Sequence, residues 1–375
     1  MSPHGIATVA RQEFRLRIRA GRWRVLLSVW FAVLLLFTGL LRGALGGFTN
    51  EKVIDKGIVL YGGLMLFVLG LALLVVPALA AQSVNGDRER GTLATLQVTR
   101  LTAADITLGK FAAAWGTALV FLLLTLPLVV YAITQKGVPV GRVLVVTLVL
   151  GLLLGTVCAM SLALSALLSR TTTSGVLAYL AVFALTIGTL IVFGLGTALT
   201  TEKYTETFTN PCPAASELPS GIPPAKRDEL FAQCGQVQSF PSTRTRTDRT
   251  WWLLAPNPFV VLADAAPQLP PLTAAQRRER QAAEARGEFR TDARDLDPLG
   301  AIGRAVRNMR RPPGDTALGI VSDTPLTSSR VNPRRRLVWP YGLAFDVALA
   351  AGALLVTIRR LHTPSRKLPK GQRVA

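Results

Sequence analysis

Asp87, Arg88, Glu89 and Arg90 place charges of alternating sign directly after a long apolar run, and Gly91, Thr92, Leu93, Leu96, Thr99 and Lys110 follow before the next run. Such a cluster is too polar for hydrocarbon, and mixed charge at close spacing suits recognition of a protein partner. Leu93 and Leu96, at i and i+3, share one side of a short helix. Thr102 with Asp105 forms a capping-box-like start to the helix that leads into the following run. The plainer alternative is a solvated connector between two helices.

Catalytic patterns are missing from the sequence. There is no GxxxxGK[ST] phosphate loop and no GxSxG elbow, so neither ATP hydrolysis nor serine chemistry is expected on those patterns. His4 and His362 are the only histidines, and both sit in basic tails, which leaves no histidine-based metal cluster and no histidine general base near the membrane. The expectation is therefore no catalytic residue, no metal site and no cofactor site. Asp346 is the lone acid inside an apolar run; its expected role is structural, paired with a nearby arginine or reaching water at the outer interface. Cys158 reads as a small buried thiol. Cys212 and Cys234 share the longest polar segment, where an oxidising compartment favours a disulfide over two free thiols.

The elements that must position these residues are membrane spans. Half of the residues are apolar and the mean hydropathy is +0.39, too hydrophobic for a soluble domain. Crossing hydrocarbon takes about 20 mainly apolar residues. Six stretches qualify, approximately Val25–Leu41, Ile58–Ala81, Phe111–Thr134, Val143–Leu168, Val176–Thr200 and Val338–Ile358. The predicted fold is an all-α polytopic membrane protein with six transmembrane helices. Pro77 and Pro127 read as helix kinks.

The net charge of +20 with a pI near 11.1 would suit nucleic acid in a soluble protein; its distribution argues for a membrane surface instead. Arg11, Arg15, Arg17, Arg19, Arg22 and Arg24 precede the first span against Glu13, and Arg359, Arg360, Arg366, Lys367, Lys370 and Arg373 follow the last. By the positive-inside rule both termini are cytoplasmic, which an even number of spans allows. The first span reads as an uncleaved signal anchor, because its apolar run is long and no clean cleavage site follows. No nucleic-acid partner is expected; the arginines anchor on lipid phosphates, each contributing about 1 kcal/mol near an anionic surface.

The predicted organisation is a basic, interfacial segment 1–24, a membrane domain 25–200 with a cytoplasmic loop 82–110, an extracytoplasmic region 201–337, a sixth helix 338–358 and a basic tail 359–375. Within the external region, Leu272 to Arg294 predicts a solvent-facing helix and Arg304 to Pro333 predicts irregular chain. Trp251, Trp252, Leu253, Leu254, Pro256, Asn257, Pro258, Phe259, Val260, Val261 and Leu262 form an apolar aromatic patch too short to span. It either dips into the outer membrane interface or packs inside a small folded loop domain.

The Asp87 to Lys110 stretch resembles the hallmark of ABC-2 type transporter permeases: an acidic-basic cluster, Gly-Thr with leucine-rich positions, and an Ile-x-x-Gly-Lys ending. Asp87, Glu89, Arg90, Gly91, Thr92, Leu93, Leu96, Thr99, Leu101, Ile106, Gly109 and Lys110 carry the match. Arg100 stands where the family often has proline, and Asp87 where it often has glutamate. The six-span layout, the large loop before the last span and the Asn-Pro-Phe patch resemble the family too, whereas Pro267 to Arg336 does not. The resemblance implies a plasma-membrane permease subunit of an exporter, acting as a homodimer or with a related permease. It also implies separate ATPase subunits that hold ATP and magnesium, with Asp87 to Leu96 as the coupling helix. The rival reading is a membrane-anchored sensor with an extracytoplasmic receptor loop.

Overall fold

A computed structural model of the chain describes residues 2–19, 21–47, 56–89, 91, 101–209, 237–269, 273–286, 296–310 and 337–362. Six helices are long and apolar enough to cross a membrane, Trp23–Gly46, Lys56–Glu89, Ala103–Thr134, Val140–Leu167, Thr171–Leu199 and Trp339–Leu361, called spans one to six below, with span two meaning its long helix Lys56–Ala80. The described residues are mostly helical, as the long apolar runs require.

Spans two, three and four form the core, with 56%, 44% and 67% of their most apolar windows buried, against 17%, 11% and 17% for spans one, five and six. Leu64, Met65 and Leu69 of span two meet Leu150, Leu153 and Leu154 of span four in one cluster, all nearly fully buried. Trp23 and Trp30 of span one close over Phe121 of span three, ring centroids 5.4 and 4.8 Å away. The apolar faces left open on spans one, five and six suit lipid or a second subunit, since lipid is as apolar as leucine.

Two spans are interrupted. Span three breaks at Thr125, where Pro127 enters the second helical piece, Leu126–Thr134; proline withholds an amide from the helix ladder and bends it there. In span five a π-helical turn, Ala184–Gly188, separates Thr171–Phe183 from Thr189–Leu199.

The N-terminal helix Pro3–Arg19 lies alongside the first turns of span three and runs in the same direction. Ser2 N donates to Asp105 Oδ1 (2.9 Å), and Arg17 Nη1 donates to Thr117 Oγ1 (3.3 Å). Gly109 makes this approach feasible, because a Cβ there would lie 2.6 Å from the Val9 side chain. Arg11, Arg15 and Arg19 are exposed on the opposite face.

The chain ends of the described structure share one end of the bundle. Leu361 of span six clusters with Val84, Ile106, Leu162 and Ala166, close to the Ser2 contact with Asp105. The other end carries elements the sequence reading did not anticipate. Thr201–Thr209 and Val237–Thr245 form an antiparallel hairpin (β1 and β2) in register Thr201↔Thr245 through Thr209↔Val237. Helix Pro298–Met309 runs through the first part of the stretch expected to be irregular from Arg304 onward. Its buried face, Leu299, Gly300, Gly303 and Val306, supplies the packing that the search for apolar periodicity overlooked. Helix Ala274–Ala285 falls within the predicted solvated helix, and its described side chains are exposed.

Candidate functional site

The segment after span two is built into the protein rather than hanging from it. Helix Lys56–Ala80 gives way to a turn and a short helix, Asn85–Glu89. Ser165 Oγ on span four accepts from the backbone N–H groups of Val84 and Asn85, both at 3.1 Å. These are two of the amides that a helix start leaves without an intrahelical acceptor. Ser174 Oγ of span five donates to Ala81 O at 2.6 Å.

Lys110 sits at the centre of a buried ion cluster. Its ammonium is 1% exposed and pairs with both Asp87 and Glu13, while also donating to Ser83 O at 3.0 Å. Three separate elements, the loop after span two, span three and the N-terminal helix, meet on one nitrogen. The Arg17 guanidinium lies in the electrostatic range of Glu13; burial pushes its pKa down and the Glu13 charge opposes that shift. Two acids and two bases are thus grouped around one buried nitrogen, and such pairing is the condition under which buried charge is tolerated.

The neighbouring charges face the connection between spans four and five. Arg88 Nη1 donates to Leu168 O (3.1 Å) and to Asn85 Oδ1 (3.3 Å), and Asn85 Nδ2 donates to Arg170 O (3.4 Å). Glu89 Oε1 accepts the N–H of Thr171 at 3.1 Å, placing a carboxylate at the positive end of span five. Gly91 has φ +70°, a left-handed conformation that glycine adopts without strain. The capping box expected at Thr102 is present: Asp105 N donates to Thr102 Oγ1 (3.2 Å) and Thr102 N to Asp105 Oδ2 (3.1 Å).

Of the residues singled out from sequence, the structure brings Asp87 and Lys110 together and places Arg88, Glu89 and Gly91 beside them. Arg90, Thr92, Leu93, Leu96, Thr99, Cys212 and Cys234 lie outside the described residues. Sequence reasoning missed Glu13, whose signal was that of a single acid among six arginines, and Ser165, which had none.

At the hairpin end a second polar assembly holds span six. Asp264, fully buried in the short helix Pro258–Ala265, accepts from Arg307 Nε (2.5 Å) and from the backbone N–H groups of Val338 (2.6 Å) and Trp339 (2.8 Å). One carboxylate thus caps span six and anchors helix Pro298–Met309. Asn257 Oδ1 caps helix Pro258–Ala265 through Phe259 N (2.9 Å), and its Nδ2 donates to Thr186 O (2.7 Å) in the π-helical turn of span five and to Thr189 Oγ1 (2.8 Å). Arg142 of span four bonds Asp297 at 2.7 and 2.8 Å, both nearly fully buried. The aromatic patch is therefore packed largely within protein: Val261, Leu262 and Ala263 are inaccessible, and Trp252 faces outward.

Asp346 stands apart from both assemblies. It is 1% exposed, and among the described residues neither carboxyl oxygen has a hydrogen-bond partner. Among the described residues no arginine pairs with it.

Residues 48–216 match the sequence profile described as ABC-2 family transporter protein. No curated protein matches the chain. The matched stretch contains spans two to five and every member of the Asp87 loop. Across residues 48–216, a little under half of its length, the chain is similar to ABC-2 family transporter proteins.

Proposed function

We propose that this chain is the membrane-spanning permease subunit of an ATP-driven exporter, with its loop after span two receiving force from a separate ATPase subunit. The observation that carries the reading is the Lys110 cluster. Displacement of the Asp87 segment acts directly on span three and the N-terminal helix through Lys110, and on span five through Glu89 and Ser174. A push on this short helix, whose Glu89 end is exposed, is thereby shared by the helices that must rearrange for alternating access.

In this reading the Asp87 end of the bundle and both termini are cytoplasmic, the hairpin end is extracytoplasmic, and the cell membrane houses the protein. ATP and magnesium belong to the partner ATPase. The open faces of spans one, five and six meet lipid and a second permease copy or a related permease, and the transport path runs along that interface.

Purification of the full chain from its native membrane should recover an ATPase carrying Walker motifs. Spin labels at matching positions on the two copies should then change separation when ATP is added. Transport that persisted without ATP, or without any partner ATPase, would sink this function.

A further inference from the structure

Asp346 is the buried ionisable group that the proposed mechanism leaves unused. At 1.5 Å per residue it lies about 10 Å inside the Trp339 end of span six and about 22 Å from Leu361. Its backbone carbonyl accepts from Thr156 Oγ1 of span four at 3.3 Å, so it stands on the face of span six that packs against span four.

No base on the elements packed around it is free to balance a charge there, among the described residues. Arg142 of span four is committed to Asp297 at the hairpin end. Lys110 of span three belongs to the ion cluster near the opposite end, alongside Asp105, and Arg17 is bound at Thr117. Helix Pro258–Ala265 offers only the acid Asp264, already paired with Arg307. Arg359 and Arg360 occupy the last turn of span six. Cys158 of span four is buried and carries no positive charge.

An ionised carboxylate without water, a hydrogen-bond donor or a counter-charge carries a desolvation cost far larger than that of a neutral acid. Removing the charge with a proton is the compensation open to it. Intramembrane acids are retained where they bind protons, ions or substrates, and the buried, donor-free oxygens of Asp346 fit the smallest of these ligands.

We propose that the Asp346 carboxyl is a proton-binding site: it exchanges a proton with water when the seam between spans four and six is open and holds it as the neutral acid while the seam is closed. At the open seam the carboxylate and a hydronium ion give the neutral acid and water, closure retains the neutral acid, and reopening allows the reverse step. The site stands independently of ATP coupling, so its test does not depend on a partner subunit.

Infrared spectra of the purified full chain in lipid nanodiscs test it directly. Near neutral pH the wild type should show the carbonyl stretch of a protonated carboxyl, shifted by D2O, lost as pH is raised, and missing from Asp346→Asn. Absence of that band, its persistence unchanged in Asp346→Asn, or its indifference to pH would each overturn the proposal. Asn is a neutral near-isostere of the protonated acid, so failure of Asp346→Asn to insert and fold where the wild type does would overturn it as well.

Discussion

Glu89 of the loop after span two holds the first backbone N–H of span five, Thr171 N, at 3.1 Å. A residue on the surface that faces the proposed partner is therefore also the N-terminal cap of a span that is otherwise mostly open, with 11% of its most apolar window buried.

Removing that cap separates coupling from stability. Glu89→Ala should lower stability by about 1 kcal/mol, the usual worth of an N-cap, while the ATP-driven distance change between permease copies disappears. Gly91→Pro should have the same functional effect, since proline fixes φ near −65° and the native value is +70°. Normal ATP-driven motion in both variants would contradict the role given to this loop.

Lys110→Met should be severely destabilising, by about 3–5 kcal/mol, because it breaks a buried ion cluster and leaves its carboxylates uncompensated. Adding Asp87→Asn and Glu13→Gln should recover much of the loss. Thermal unfolding in detergent distinguishes this from simple packing loss, for which the added neutral substitutions bring no recovery.

Asp264→Ala should release the start of span six together with helix Pro298–Met309. The expected cost is again about 3–5 kcal/mol. Hydrogen exchange should rise at Val338 and Trp339 and in residues 298–309, while the Lys110 end stays protected; uniform deprotection would argue against a local hub.

The hairpin register bears on the cysteines. Thr209 stands opposite Val237, which leaves Cys212 and Cys234 each three residues beyond the last described pair. Mass spectrometry of protein alkylated without reduction should find these two joined by a disulfide, with the electrons passed to a disulfide oxidant of an extracytoplasmic compartment. Two alkylated thiols would refute both the bond and that placement of the hairpin.

Acid should loosen the hairpin base. The bonds from Arg246 hold the Asp248 carboxyl below the ordinary carboxylate range. A depressed folded pKa contributes stability that is complete above the unfolded value, near 3.9, and is lost as pH falls through the folded one. Hydrogen exchange at residues 246–250 should therefore accelerate below about pH 4 in the wild type, and should lose that dependence in Asp248→Asn.

The spans were legible because run length is a local property of the chain, and the Thr102–Asp105 box because its partners are three residues apart. The Lys110 cluster was legible only in part: Asp87 and Lys110 drew notice as motif positions, but Glu13 lies 97 residues from its partner, and no periodicity links them. The strand Thr201–Thr209 hid in plain polarity, since its Thr and Glu residues read as loop until the opposite strand supplies hydrogen bonds. Asp264 drew no notice in the sequence because its ligands, Arg307 and the start of span six, are supplied by distant chain.

The grip at the head of span six has a practical corollary. Arg310 Nη1 donates to Leu337 O at 2.6 Å, and Asp264 holds the amides just beyond, so Arg310 and Leu337, which flank residues 311–336 in sequence, are held together. Loop-closure cost grows only logarithmically with length. With both flanks already held together, chain added between them by an affinity tag or fluorescent domain should cost little closure entropy and leave the Arg310–Leu337 contact in place.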